Sequence, residues 1–366
     1  MYHHNISVKQ AGARLLERRK FLKGITSLGG LALLSLFIPS CLRRSEPLLE
    51  PVHPNTTTDS PAPATDKAPI TRISLVRSQN RTDGVHRAID LLKYNPVRGK
   101  AVMLKPNFNT AHAAPGSTHN DTLRTLVSSL QEMGAIRITL AERSGPGDTT
   151  RQVMEKKGIF KLSEELGFDI INLEELGPEG LVHLHPKDSH WHNGFHFPRA
   201  YFEAESIVQT CCLKTHAYGG HFTLSLKNSV GMVPRAGYPY MRELHSSPYQ
   251  RQMIAEINTA YSPDLILLDA VEAFVDGGPT TGTRVPAGVT LAGSDRTAID
   301  AVGVAILRLL GTTREVTQGP IFNQDQIARA AELGLGVKSA TQIQIVTDDS
   351  DCEAFAAKIR DILTEG

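Results

Sequence analysis

The chain is poor in the residues that mark several common classes of protein. Only four of its 366 residues are cysteine, and the three beyond the N-terminal segment, Cys211, Cys212 and Cys352, have no CxxC spacing. Such a set makes neither a disulfide framework nor an iron–sulfur site. The net charge is +1, so the composition does not predict nucleic-acid binding. No Walker lysine pattern and no GxGxxG occurs, so the sequence does not predict a phosphate-binding loop.

A long apolar run is also missing, although the N-terminus carries a short one. Residues 28–38 are apolar but fall short of the roughly 20 residues that a membrane span needs. They follow Arg18-Arg19-Lys20-Phe21-Leu22-Lys23, a twin-arginine pattern in which Glu17 replaces the usual Ser or Thr. This combination predicts a signal peptide read by the twin-arginine export machinery, which carries folded proteins.

Cys41 follows this run in Ile38-Pro39-Ser40-Cys41, which resembles a lipoprotein processing box. We expect Cys41 to be lipidated and to hold the exported protein at a membrane, in the periplasm or at the cell surface. The alternative is an uncleaved signal anchor in which Cys41 has no role. Residues 1–41 are then the signal, and the Pro- and Thr-rich residues 42–70 are a disordered tether.

Residues 71–366 have the composition and periodicity of a folded α/β domain. Strand-like and helix-like segments alternate, which predicts a mainly parallel sheet with helices on both faces. Between residues 181 and 197 the apolar period changes to two, which predicts a small antiparallel hairpin insertion. His183 and His185 share one face there and could chelate a metal; the alternative is a solvated hairpin face.

The residues with the most chemistry lie in one Gly-rich passage, 211–245. It follows an apolar strand predicted at 206–210 and so leaves a strand end, where open α/β sheets bind ligands. A short helix predicted at 222–230 would present its N-terminus to an anion. The basic, imidazole and amide residues of the passage are Lys214, His216, His221, Lys227, Asn228 and His245. They predict a shared site for an anionic ligand, a metal ion or both.

The lysines and histidines of this passage are candidates for catalysis and metal binding. Lys214 and Lys227 are expected to act as nucleophile, base or anion clamp. His216, His221 and His245 are expected to ligate a divalent metal or to move protons, with His216 a catalytic candidate as well. For any one of them the alternative is a surface or capping residue.

A second polar group follows a strand predicted at 100–104. Lys105 is expected to contact a negative group and Asn107 to orient it, with Asn228 binding the same ligand. The alternative is that Lys105 is a solvated strand terminus and Asn107 a turn residue.

Carboxylates follow two further apolar strands, predicted at 264–268 and 288–293. Asp269, Asp295 and Asp300 are expected to bind ligand or metal, to serve as a base, or to pair with the lysines. The alternative is helix capping, which suits Asp295. Asp300 lies among apolar residues inside a predicted helix, so it is either buried and paired or a site residue.

Several motifs together resemble a known family. KPNFN, LKTHAYGGHFTLSLKNSVGMVP, LILLDAVEAFVDGGP and GSDRTAIDAVG are similar to the family catalogued as domain of unknown function 362. The resemblance covers about residues 71–310 and implies no settled activity. Some members carry a ferredoxin-like cysteine-rich module; this chain has none, so no iron–sulfur cluster is expected.

The same passage resembles lactate racemase and its relatives, whose motif runs His, Gly-rich loop, Lys and a later His. In that family the lysine holds a nickel pincer nucleotide covalently, the later histidine ligates nickel, and the first histidine moves the substrate proton. The resemblance implies these roles for Lys227, His245 and His216 respectively. That family's other catalytic histidine has no clear counterpart in this chain.

These features lead to two hypotheses about function. The first is an exported, lipid-anchored enzyme with a site for a metal or a small anionic ligand, of racemase or isomerase type. The second is a non-catalytic lipoprotein that captures a solute at the cell surface. A purely structural role would leave Lys214, His216 and Lys227 replaceable without loss of any ligand response.

Overall fold

A computed structural model describes residues 70–365. The predicted twin-arginine signal, Cys41 and the tether up to residue 69 lie outside these residues. Within residues 70–365, no helix combines the length and the apolar character needed to cross a bilayer.

The described part of the chain contains eleven strands and twelve α-helices. The strands are β1 Thr71–Arg77, β2 Ala101–Lys105, β3 Arg137–Glu142, β4 Asp169–Asn172, β5 Leu181–Leu184, β6 Phe195–Pro198, β7 Ser206–His216, β8 His221–Thr223, β9 Leu265–Gly277, β10 Gly282–Gly293 and β11 Ile343–Val346. The helices are α1 Arg81–Leu92, α2 Asn120–Glu132, α3 Thr150–Lys156, α4 Ile159–Leu166, α5 Arg199–Phe202, α6 Ser225–Asn228, α7 Tyr240–Ser246, α8 Gln250–Ile257, α9 Arg296–Leu309, α10 Arg314–Thr317, α11 Asp325–Glu332 and α12 Ser350–Glu365.

Nine of these strands form one mixed sheet. The order is β11-β1-β10-β9-β7-β2-β3-β4, and β8 pairs with the end of β7. From β9 to β4 every neighbouring pair is parallel, whereas β10 is antiparallel to both β9 and β1. β5 and β6 pair as a separate antiparallel hairpin. The predicted α/β class, with a mainly parallel sheet and a small antiparallel hairpin, is confirmed.

Apolar side chains alternate across the sheet and bury helices on both of its faces. In β9, Ile266 and Leu268 pack in a core with α9 and α12. Leu265 and Leu267 point the other way and pack with α1 and α2. A third core, rich in aromatic residues, attaches the β5–β6 hairpin and α8 to the sheet. Burial on both faces explains why the central strands are nearly continuous apolar runs.

Side-chain caps determine where several helices begin. The Asn80 side chain caps α1, Thr149 and Gln152 form a capping box at α3, and Asp295 caps α9. Each supplies an oxygen to backbone N–H groups that the first turn of a helix leaves unpaired.

The chain changes the direction in which it adds strands between β2 and β7. After β2 it adds β3 and β4 on one side, and it then crosses to the other side of β2 and adds β7 and β9. Ligands of open α/β sheets bind in the crevice that forms at the carboxyl ends of the strands at such a switch point. Lys105 at the end of β2 and Lys214 and His216 at the end of β7 border this crevice.

The structure corrects three local predictions. β7 does not stop at residue 210 but continues to His216, because pairing with β8 and β9 extends it. The helix predicted at 222–230 is shorter, since its first residues belong to β8 and only Ser225–Asn228 form an α-helical turn. Helix α4 was not predicted.

Candidate functional site

A cavity of about 50 Å³ lies at the carboxyl ends of β2, β3 and β7. Space of this size holds a few water molecules or one small oxyanion. Four basic side chains and one carboxylate contribute to its wall. The lining residues are Lys105, Asn107, Asn109, Glu142, Arg143, Lys214, His216, Thr223, Lys227, Asn228, Val230, Gly231 and Pro279.

Lys105 and Glu142 form a buried ion pair in this wall. Lys105 Nζ lies 2.6 Å from Glu142 Oε1. The carboxylate also accepts hydrogen bonds from the backbone N–H groups of Arg143 and Phe108, at 2.9 and 2.8 Å. A Cβ on Gly231 would lie 2.6 Å from Glu142 Oε1, so glycine allows the loop after α6 to pack this closely. Glu142 therefore neutralises Lys105 and orders the wall.

Two asparagine side chains connect this ion pair to Lys214. Asn228 Oδ1 accepts hydrogen bonds from Lys105 Nζ at 3.4 Å and from Asn107 Nδ2 at 3.3 Å. Lys214 Nζ donates to Asn107 Oδ1 at 2.9 Å and to the Gly116 carbonyl at 2.6 Å. Burial lowers the pKa of Lys214 to about 8. The structure thus brings together four residues that the sequence placed in different segments.

Lys227 faces the same cavity without a partner of its own. The residue is 9% exposed, and within residues 70–365 no hydrogen bond or ion pair reaches its ammonium group. Burial, reinforced by the charges of Lys214 and Arg143, lowers the pKa of Lys227 to about 7. A lysine with this pKa is partly neutral near pH 7, and its amine can act as a base or a nucleophile.

His216 packs beside Lys227. A Cβ on Gly220 would lie 2.9 Å from His216 Nδ1 and 3.0 Å from Lys227 Cε, so both side chains pack on this glycine. The Tyr218 backbone N–H donates to His216 Nδ1 at 3.3 Å, which leaves the proton of the neutral ring on Nε2. Burial, with the charge of Lys227, holds the pKa of His216 well below its usual range. His216 is therefore neutral and offers an N–H donor.

The hydroxyl of Thr223 is a third polar group of the wall without a partner. Thr223 is buried and lines the cavity, and in the part of the chain that the structure describes its Oγ1 makes no hydrogen bond. An unsatisfied buried hydroxyl costs about 1–3 kcal/mol, so its presence favours a ligand that satisfies it. We call Lys227, His216 and Thr223 the free donor set.

Asp300 holds the helical turn that carries Lys227. Its carboxylate, on α9, accepts hydrogen bonds from the backbone N–H groups of Ser225 at 2.8 Å and Leu226 at 3.2 Å. Burial raises the pKa of Asp300 to about 8. Asp300 is not a lining residue of the cavity. It therefore acts on the site through α6.

Asp269 and Asp295 do not line the cavity either. Asp269 accepts hydrogen bonds from Arg81 Nε at 3.0 Å and from Thr122 Oγ1 at 2.6 Å. Asp295 accepts one from the Ala298 N–H at 2.9 Å, as the cap of α9. Both carboxylates form hydrogen bonds within the fold, and neither lies at the cavity where a ligand was predicted to contact them.

The three imidazoles predicted to share a metal ion do not converge. Only His216 lines the cavity. His221 has a φ of 59° and lies near Arg251 instead, and the exposed His245 donates from Nδ1 to the Met241 carbonyl at 2.6 Å. Within residues 70–365, the three histidines do not form a group whose ligand nitrogens all lie within 4.8 Å of one another. The three-imidazole metal site is therefore not formed.

Sequence reasoning missed several residues of the wall, notably Glu142, Arg143 and Thr223. Glu142 is the last residue of β3, as Lys105 is of β2, and Arg143 comes next, so polar residues at a strand end were an available signal. The Arg143 guanidinium donates to the carbonyls of Val233, at 2.9 Å, and Val230 and thereby fastens the loop after α6. No local signal distinguishes Thr223 from the other threonines of the chain.

Comparison with known families identifies the family of the segment that carries the cavity. The family described as domain of unknown function DUF362 matches residues 102–305. The chain belongs to the DUF362 family. The DUF362 match covers more than half of the chain and includes every residue that lines the cavity, together with Asp300. No curated protein matches the chain.

Two solved structures are partly similar to this DUF362 protein. The lactate racemase apoprotein from Thermoanaerobacterium thermosaccharolyticum is 16% identical, with a TM-score of 0.42 over 61% of this chain and 54% of that one. A protein from Thermotoga maritima is 14% identical, with a TM-score of 0.39 over 74% of this chain and 60% of that one. The match thus spans little more than half the length of the racemase.

Proposed function

We propose that this DUF362 domain is an enzyme that binds a small carboxylate or phosphate anion in the cavity and uses the Lys227 amine for proton transfer. The observation that carries the proposal is Lys227 itself, a buried lysine without a partner among residues 70–365. The wall around it has four basic side chains and one carboxylate, and Glu142 is already paired with Lys105. An anion would supply the missing negative charge, with an attraction strengthened by the low local dielectric.

The free donor set supplies the groups that such a reaction needs. His216 and Thr223 would donate hydrogen bonds to the oxygens of the substrate. The neutral amine of Lys227 would take the proton from a carbon next to a carboxylate or carbonyl group of the substrate, with its pKa of about 7 matched to that task. Lys214 would stabilise the negative charge that develops on the substrate oxygens. The Lys227 ammonium would then return the proton to the adjacent carbon, which is the chemistry of an isomerase; a racemase would need a second acid on the opposite face.

No step is assigned to a metal ion or a nickel pincer nucleotide, because the donor atoms do not fit either group. A metal held by the predicted histidines would need three imidazoles at one point, and His221 and His245 do not line the cavity. For a nickel centre attached to Lys227 the resemblance implies His245 as a ligand, and His245 is not a lining residue of the cavity.

Proton exchange with solvent tests the proposal directly. The full chain would be incubated in D₂O with 2-hydroxy acids, amino acids, 2-oxo acids and sugar phosphates, and loss of the C–H signal next to the carboxylate or carbonyl group would be followed by NMR. We expect at least one compound to raise the melting temperature and to exchange its proton. Lys227→Met should lose the exchange, whereas Lys358→Met, at an exposed lysine of α12, should keep it. Exchange at the wild-type rate in Lys227→Met would remove Lys227 as the base.

The second candidate is a non-catalytic solute-binding protein. The hydrogen-bonded wall from Glu142 through Asn228 and Asn107 to Lys214 favours it, because a preformed wall binds an anion with little reorganisation. A binder raises the melting temperature by mass action and leaves the C–H signal unchanged. The same experiment therefore separates the two candidates.

We also propose that the domain is exported by the twin-arginine route and anchored by a lipid on Cys41. The support is the Arg18-Arg19 pattern, the short apolar run and the box that ends in Cys41. Replacing both arginines by lysine should retain the protein in the cytoplasm, and Cys41→Ala should release it from the membrane fraction. An unchanged distribution in both variants would contradict the proposal.

A further inference from the structure

The exposed imidazoles of His183 and His185 meet at the end of the β5–β6 hairpin, away from the cavity. His185 Nε2 and His183 Nδ1 are 3.2 Å apart, and the two ring planes are inclined at 61°. Two zinc–imidazole bonds of about 2.0–2.1 Å at a tetrahedral angle place their nitrogens about 3.3 Å apart. The pair therefore already has the spacing of a metal chelate.

The hydrogen bond on the far side of the His183 ring orients a lone pair toward His185. His183 Nε2 donates to the Asn193 carbonyl at 2.8 Å, so the neutral ring carries its proton there and leaves Nδ1 unprotonated. Metal-bound histidines almost always donate their other N–H to a carbonyl or carboxylate in this way. The backbone thus prepares His183 as a ligand through Nδ1.

A glycine and a third imidazole pack directly against the two rings. Gly194, with a φ of 62°, passes so close that a Cβ would lie 3.1 Å from His185 Nδ1. His196 stacks on His183 with ring centroids 4.3 Å apart and planes within 7°, and its Nδ1 is hydrogen-bonded to the Tyr240 hydroxyl at 2.6 Å. Among the described residues, His183, His185 and His196 do not form a group whose ligand nitrogens all lie within 4.8 Å of one another, so His196 supports the His183 ring and is not a third ligand.

We propose that His183 and His185 form a two-imidazole site for a divalent transition metal, namely zinc, nickel or copper, with water completing the coordination. The metal accepts lone pairs from His183 Nδ1 and His185 Nε2. The proton that His185 Nε2 shares with His183 moves to His185 Nδ1, which makes no hydrogen bond in the described part of the chain. No residue of this site lines the cavity, so it does not depend on the function proposed above.

Calorimetric titration with zinc and with nickel tests the site. The full chain would carry a purification tag free of histidine, and His3 and His4 would remain in every variant so that their contribution cancels. His183→Gln and His185→Gln should each raise the dissociation constant by about tenfold or more, the scale of a lost contact at a metal site. The matched control is His192→Gln, an exposed histidine of the same hairpin, which should leave it unchanged.

Two results would overturn the proposal. One is the same metal affinity in wild type and in both His183→Gln and His185→Gln. The other is loss of binding only in His216→Gln, which would place the metal in the cavity. The substituted hairpin residues are exposed, so unchanged melting temperatures without metal should show that each variant is folded.

Discussion

The Asp300 carboxylate accepts a hydrogen bond from the backbone N–H of Ser225 at 2.8 Å. This contact joins α9 to the first residue of α6, which carries Lys227 two residues later. Because both groups are buried, the hydrogen bond determines where the partnerless lysine stands in the cavity. Asp300 is thus a positioning residue for a site that it does not line.

Asp300→Asn should loosen α6, since the amide oxygen keeps the short hydrogen bond from Ser225 N–H, whereas an NH₂ in place of Oδ2 cannot accept the 3.2 Å hydrogen bond from Leu226 N–H. We expect the free energy of unfolding to fall by about 1–3 kcal/mol and anion-induced stabilisation to weaken. Urea denaturation and thermal shifts with anions would measure both. Asp361→Asn, at an exposed position of α12, is the control and should leave both quantities nearly unchanged. Equal behaviour of the two variants would contradict a positioning role.

Lys227→Met should stabilise the protein in the absence of ligand, because it replaces a buried cation that has no partner in the described chain by an apolar side chain of similar length. We expect a gain of about 0.5–2 kcal/mol in the free energy of unfolding, the usual scale when a strained functional group is removed. Lys358→Met should change stability by less than about 0.5 kcal/mol. A clear loss of stability in Lys227→Met would show that the ammonium group supports the fold.

The stability of the unliganded protein should also depend on pH through Lys227. Its folded pKa of about 7 lies below the usual 10.5, so between these values the unfolded chain binds more protons than the folded one. The contribution of Lys227 to stability therefore increases as the pH rises through this window, by at most about 1.4 kcal/mol per pH unit. Asp300, whose pKa is raised to about 8, has the opposite effect: its contribution to stability decreases as the pH rises toward 8.

Comparison with Lys227→Met isolates this effect, because the other groups are common to both proteins. Between pH 8 and 9.5 the urea midpoint of the wild type should rise more, or fall less, than that of the variant. Identical changes would mean that the folded pKa of Lys227 is not depressed.

Glu142→Gln should destabilise the protein by about 3–5 kcal/mol, because it leaves Lys105 as a buried charge without its counter-ion. The double variant Lys105→Met/Glu142→Gln should lose less than the sum of the two single variants, which a double-mutant cycle would measure. Glu165→Gln, which breaks an exposed ion pair with Arg124, should leave the urea midpoint nearly unchanged, because solvent screens exposed ion pairs. Additive single-variant losses would contradict direct coupling.

Periodic segments made much of the fold predictable. The helix predicted around Asp300 is observed as Arg296–Leu309, because its buried apolar face gives a helical pattern that no neighbour overrides. The end of β7 could not be predicted in this way. Lys214 and His216 are polar, which is typical of a loop, yet both are buried in a strand that pairs on its two sides.

The sequence by itself determined the class of the fold and the identity of most basic and amide groups of the cavity, because both depend on local patterns: apolar period, breakers and polar residues at strand ends. Only the tertiary structure decided which of those groups meet. Glu142, not Asp269, pairs with a cavity lysine, and of the three lysines that line the cavity Lys227 is the one without a partner among residues 70–365. The physical reason is that such contacts depend on strand order and on the direction of each side chain, and both arise from packing between segments distant in the chain.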